Sequence, residues 1–128
     1  MPSYIALWVS SAIRFLAGYA LGSWIQVYYR RVYGLSPTTI SLWLAVVIPI
    51  GGLSASYVGG IASDWWKRSL ISGTVWVICI CSFLAIPFMV GVLVVDDYRV
   101  SFLLLLCEYF FAEMWIGPSV AIVQVFFF

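Results

Sequence analysis

Apolar and polar positions segregate along this chain on the scale of whole helices rather than single residues. Four long apolar runs, at about Tyr4–Tyr29, Ile40–Ser63, Leu70–Val95 and Val100–Phe128, are separated by the short polar stretches RRVYGLSPTT, DWWKR and DDYR. A helix crossing a bilayer needs roughly 20 mainly apolar residues, and each run meets that length. Strands are excluded, because the runs are too long and lack the two-residue alternation of a barrel strand. The pattern predicts an all-α membrane protein with four transmembrane helices in one domain, 1–128. The connecting stretches leave no room for a second domain.

Composition agrees with this reading. The chain of 128 residues is 65% hydrophobic and 9% charged, whereas soluble domains carry about 25% charged residues. A surface for water cannot be assembled from so few polar side chains. The partner implied is therefore membrane lipid. The net charge of +1 points to no acidic partner, and no Lys/Arg cluster points to nucleic acid. The first apolar run has neither a basic leader nor a cleavage site after a short core, so it reads as a retained span.

Punctuation within the spans is specific. Ser36 is placed to cap the second span, with Pro37 at its first helical position. Gly18 and Gly22 lie four apart in span one, on the face that also holds Arg14, and allow close helix approach. In span two, Gly52, Ser56, Gly60 and Asp64 form one rib of mostly small residues, and Gly51, Ala55, Gly59 and Ser63 form the next. Pro49, Pro87 and Pro118 each remove a backbone donor inside an apolar run and are expected to kink it. Trp43, Tyr57, Trp65, Trp66 and Tyr98 fall near the expected interfaces, where amphipathic rings are favoured.

Three charges stand inside apolar runs: Arg14, Glu108 and Glu113. Each costs at least ~2.5–3.5 kcal/mol at the centre of a membrane helix. They should therefore face protein or water and pair with one another. The expected pair is Arg14 with Glu113, since Glu113 reads as the deeper acid and neighbours Met114, whose carbonyl Pro118 leaves without a donor. Gln124, three helical turns beyond Glu113, is expected on the same face. Desolvation favours a neutral carboxyl and a nearby guanidinium favours an ionised one, so an acid held between the two can exchange a proton. The alternative is a permanent structural ion pair.

Other chemistry finds no footing. The chain has no histidine, so no Ser/His/Asp set is possible. It shows no phosphate loop and no metal-ligand cluster, and no cofactor is implied. Cys79, Cys81 and Cys107 lie within apolar runs and read as buried, inert thiols. No enzymatic activity is expected.

Asp64 closes the second span, where a helix C-terminus disfavours a carboxylate by ~0.3–1 kcal/mol. It needs a positive partner, with Lys67 and Arg68 nearby. This stretch, GGIASDWWKR, resembles the short cytoplasmic loop of the major facilitator superfamily, whose pattern is Gly-x-x-x-Asp-(Arg/Lys)-x-Gly-(Arg/Lys)-(Arg/Lys). Gly60, Asp64 and Arg68 match it. Trp65, Lys67 and Ser69 depart from it, as in the degenerate copy carried by the second half of such transporters. RFLAGYALGSWIQVYYRRVYG and AEMWIGPSVAIVQ are similar to the seventh and tenth helices of spinster-like members. The internal echo of IQVYY (Ile25–Tyr29) by VQVFF (Val123–Phe127) fits a family built on repeated helices.

The resemblance implies that these four spans are helices seven to ten, part of a six-helix half. Arg14 and Glu113 would then line the central cavity, while Gly60, Asp64, Lys67 and Arg68 would form a gating loop in the cytoplasm. The function it implies is secondary transport of a small organic or amphiphilic, lysolipid-like solute, for which the proton exchange open to an acid beside Arg14 would offer a coupling. Four spans supply neither two bundles nor a whole half. The chain is therefore expected to be a fragment, inactive alone, that needs the remaining helices of its transporter. Two alternatives stand beside this reading. One is a complete four-helix transporter sharing Glu113 between two protomers. The other is a non-transporting scaffold whose glycine faces bind partner helices.

Overall fold

A computed structural model describes the backbone over residues 2–67 and 73–127, and side chains over 5–6, 8–66 and 75–124. Every element within those residues is helical: α1 (Pro2–Val32), α2 (Pro37–Lys67), α3 (Gly73–Val94), α4 (Tyr98–Glu113) and α5 (Ile116–Phe127). Arg68 and the side chain of Lys67 lie outside the described residues. Three runs among those described are long and apolar enough to cross a membrane: Pro37–Trp66, Val75–Val94 and Tyr98–Gln124. They coincide with the second, third and fourth expected spans. The first expected span lies in α1, whose 31 residues reach about 46 Å.

The chain divides into two compact units, Met1–Leu42 and Trp43–Phe128. In the first, α1 ends with Arg30 and Arg31 in its last turn, where cations complement the helix dipole. Tyr33 N–H still reaches the Tyr29 carbonyl at 3.2 Å. Gly34 then turns the chain with φ +64°, a conformation that L side chains rarely adopt. Tyr29 is fully enclosed, stacked on Tyr33 at 5.6 Å and edge-on to Tyr28 at 5.5 Å. The Ser36 cap forms as the sequence predicts. Its Oγ accepts from Thr39 N–H at 3.3 Å and shares a 2.8 Å bond with the Thr39 hydroxyl.

In the second unit, α3 runs antiparallel to α4. Ser101 Oγ donates to the Val92 carbonyl at 3.0 Å, Phe88 stacks on Phe111 at 5.3 Å, and Cys81 Sγ lies 3.5 Å from Met114 Sδ. The Ser101 bond matters locally, because Val92 belongs to the last helical turn, whose carbonyls have no intrahelical donor. The remainder of α2 runs parallel to α4 and α5, with Gly51 beside Leu106 and Tyr109 and Gly59 beside Met114. Trp43 stacks on Phe102 at 5.2 Å. Asp97 caps α4, its Oδ1 accepting from Arg99 N–H at 3.0 Å. The polar DDYR turn is thus also a helix start.

Hydroxyls inside the helices turn back on their own backbone. Ser23 bonds the Tyr19 carbonyl at 2.9 Å and Ser56 the Gly52 carbonyl at 2.9 Å. This satisfies a polar group without water. Large apolar side chains such as Leu16, Trp24, Leu53, Phe83 and Val94 stand open on the outer faces. Cys79 does too, so only Cys81 of the three thiols is buried.

The prolines act differently from one another. Pro49 and Pro87 sit within helices that continue through them. Pro118 falls in the first turn of α5, where its missing N–H costs nothing. The interruption comes earlier, at Met114–Trp115, around the carbonyl that Pro118 cannot bond.

Candidate functional site

The interior acids lie on α4, and the helix gives them different faces. Ser101, Leu104, Glu108 and Phe111 follow at helical spacing, and three of them meet α3: Ser101 at Val92, Leu104 at Gly91 and Phe111 at Phe88. Glu108 therefore belongs to the α3-facing side. It is only 7% exposed, and its Oε2 has no hydrogen-bond partner among the described residues. Leu106, Tyr109 and Glu113 share the opposite flank, where Leu106 and Tyr109 meet Gly51 of α2. Glu113 is half-buried and engaged in an electrostatic or hydrogen-bonding interaction. Glu108 is thus the more enclosed of the two acids.

Beyond Glu113 the helix breaks at Met114–Trp115 before α5 begins. Gln124, three turns beyond Glu113, is exposed. Arg14 is half-buried in α1 and also holds an interaction. Asp64 is exposed near the end of α2. Among the described residues, no group of three His, Cys, Asp or Glu side chains is placed to hold a metal ion.

The glycines separate into two kinds. A methyl on Gly59 would sink into the Met114 carbonyl oxygen, and one on Gly117 would come 2.7 Å from the Ser56 carbonyl oxygen and 3.0 Å from Gly60 N. These are backbone-to-backbone approaches. The Cα hydrogen of Gly59 in the Cβ position points at the Met114 carbonyl, a weak C–H···O contact for an oxygen that Pro118 cannot serve. Gly51 and Gly91 instead meet side-chain atoms at 3.1 Å, on Tyr109 and Leu104. Methyls at Gly18, Gly22, Gly52 or Gly60 would meet nothing within 4 Å. Gly59 was among the packing residues expected from sequence. Gly117 was not, although its place beside Pro118 was a usable signal.

No protein-family model, curated protein or solved structure matches the chain.

Proposed function

We propose that the chain is an integral membrane protein whose four helical runs cross the bilayer. In this reading it forms part of a major-facilitator-type secondary transporter for a small organic or amphiphilic solute. Several features support this. The outer helix faces carry large apolar side chains. Hydroxyl groups are satisfied within their own helices, as a lipid environment requires. Resemblance of the Gly60–Arg68 stretch to a facilitator loop supplies the transporter class. The observation that carries the reading is a helix of apolar character holding two interior carboxylates, Glu108 and Glu113. Ionisable groups at such depth mark ion or substrate pathways by default.

In this proposal Arg14, Glu113 and Gln124 carry the coupling or substrate-binding role. Gly60, Asp64 and Lys67 at the end of α2, together with Arg68, gate movement of one helix set against the other. The test is solute uptake by the longest natural form of the protein, with Arg14→Ala and Glu113→Gln. Uptake should fall at least tenfold in each. Unchanged uptake and unchanged growth phenotypes in both would favour a non-transporting scaffold. Extraction of the protein by alkaline carbonate would remove the membrane reading itself.

A further inference from the structure

Glu108 is an expensive residue to enclose. Its carboxyl is more than nine-tenths buried and offers one oxygen to no donor among the described residues. An unmet buried acceptor costs about 1–3 kcal/mol, and more when charged. The face it occupies is closely packed on both sides along the helix. Leu104 lies against Gly91 one turn before it, and Phe111 stacks on Phe88 one turn after it. A solute does not fit into such a seam, but a proton does.

The neighbours supply no fixed counter-charge. α3, the element packed on this face, contains no Asp, Glu, Lys or Arg. Its thiols are Cys79, exposed, and Cys81, whose sulfur meets Met114. On α4, the Ser101 hydroxyl is committed to Val92, Tyr109 meets Gly51 of α2, and Glu113 acts on Glu108 as a like charge rather than a counter-charge. α5 carries no titratable side chain, and on α2 Tyr57 and Asp64 are exposed.

We propose that Glu108 is a proton-exchange site enclosed between α3 and α4. The proton enters on the carboxyl oxygen that lacks a donor and leaves from the same atom, with no other bond made or broken. Binding and release change the charge of the α3–α4 seam and hence how tightly the two helices hold together. The inference rests on the membrane reading above, but not on the transport reading.

The chain has two glutamates, Glu108 and Glu113, so selective labelling with glutamate carrying 13C at the δ-carboxyl reads these positions alone. The labelled protein would be reconstituted in phosphatidylcholine vesicles and followed by solid-state NMR from mildly acidic to mildly alkaline pH. The Glu113→Gln variant leaves only the Glu108 resonance. That resonance should move by the full difference between carboxylic acid and carboxylate within this range. A Glu108 resonance fixed across the range, in either form, overturns the proposal. Should Glu113→Gln fail to reconstitute, Glu108→Gln assigns the same line by subtraction from the wild type. A wild-type spectrum in which neither line moves is equally fatal. Carbonate extraction, run separately, reports failure of the membrane reading without involving the titration.

Discussion

Two glycine faces of this molecule read alike in sequence and behave differently in space. In α1, Gly18 and Gly22 form a smooth stripe, and a methyl on either would meet no atom. Along α2, Gly59 lies so close to Met114, and Gly117 of α5 so close to Ser56 and Gly60, that a methyl would collide with backbone. The lesson is that small residues permit close approach but do not create it. Approach happens where a partner also offers bare backbone, and α5 does so through Gly117 and the Met114–Trp115 interruption. Four-residue spacing is present in both faces and does not separate them.

Substitutions can break this comparison. The largest effect is expected from Gly59→Ala and Gly117→Ala, because a backbone oxygen cannot swing aside as a side chain can. Overpacking of this kind costs about 1–3 kcal/mol. Denaturant titration in detergent micelles should show the loss for both, and wild-type stability in both would mean that α2 does not rest on the α4–α5 junction. A smaller loss, about 1 kcal/mol, is expected for Ser101→Ala, which removes the bond to the Val92 carbonyl at the end of α3. The same titration reads it. The smallest effect, with the opposite sign, is expected for Gly18→Ala and Gly22→Ala. Alanine is favoured over glycine within a helix by roughly 0.5–1 kcal/mol, and nothing obstructs the methyl. A pronounced loss at either position would reveal a close neighbour on that face of α1.

The two interior acids offer a second contrast. Glu108 and Glu113 are five residues apart on one apolar helix, and composition alone gives them equal cost. Enclosure separates them. Glu108 is buried on the α3-facing side with an oxygen unserved, whereas Glu113 is half-buried at the last residue of α4. A sequence-based preference for Glu113 followed from its closeness to Pro118. That signal located the helix interruption, but Met114, Trp115 and Pro118 around it are buried, so the interruption does not decide which acid is enclosed.

The sequence by itself determined the helical class, the placing of the elements and several of their ends. Apolar runs of twenty or more residues admit only helices. The Ser36–Pro37 start and the Gly34 turn depend on local backbone chemistry that neighbours do not alter. Only tertiary structure decided which small residues are compressed and which carboxylate is enclosed. Those outcomes depend on which helix faces which and on whether a rod is continuous. Near Met114 the missing Pro118 donor and the approach of Gly59 act together, and no single stretch of sequence contains both.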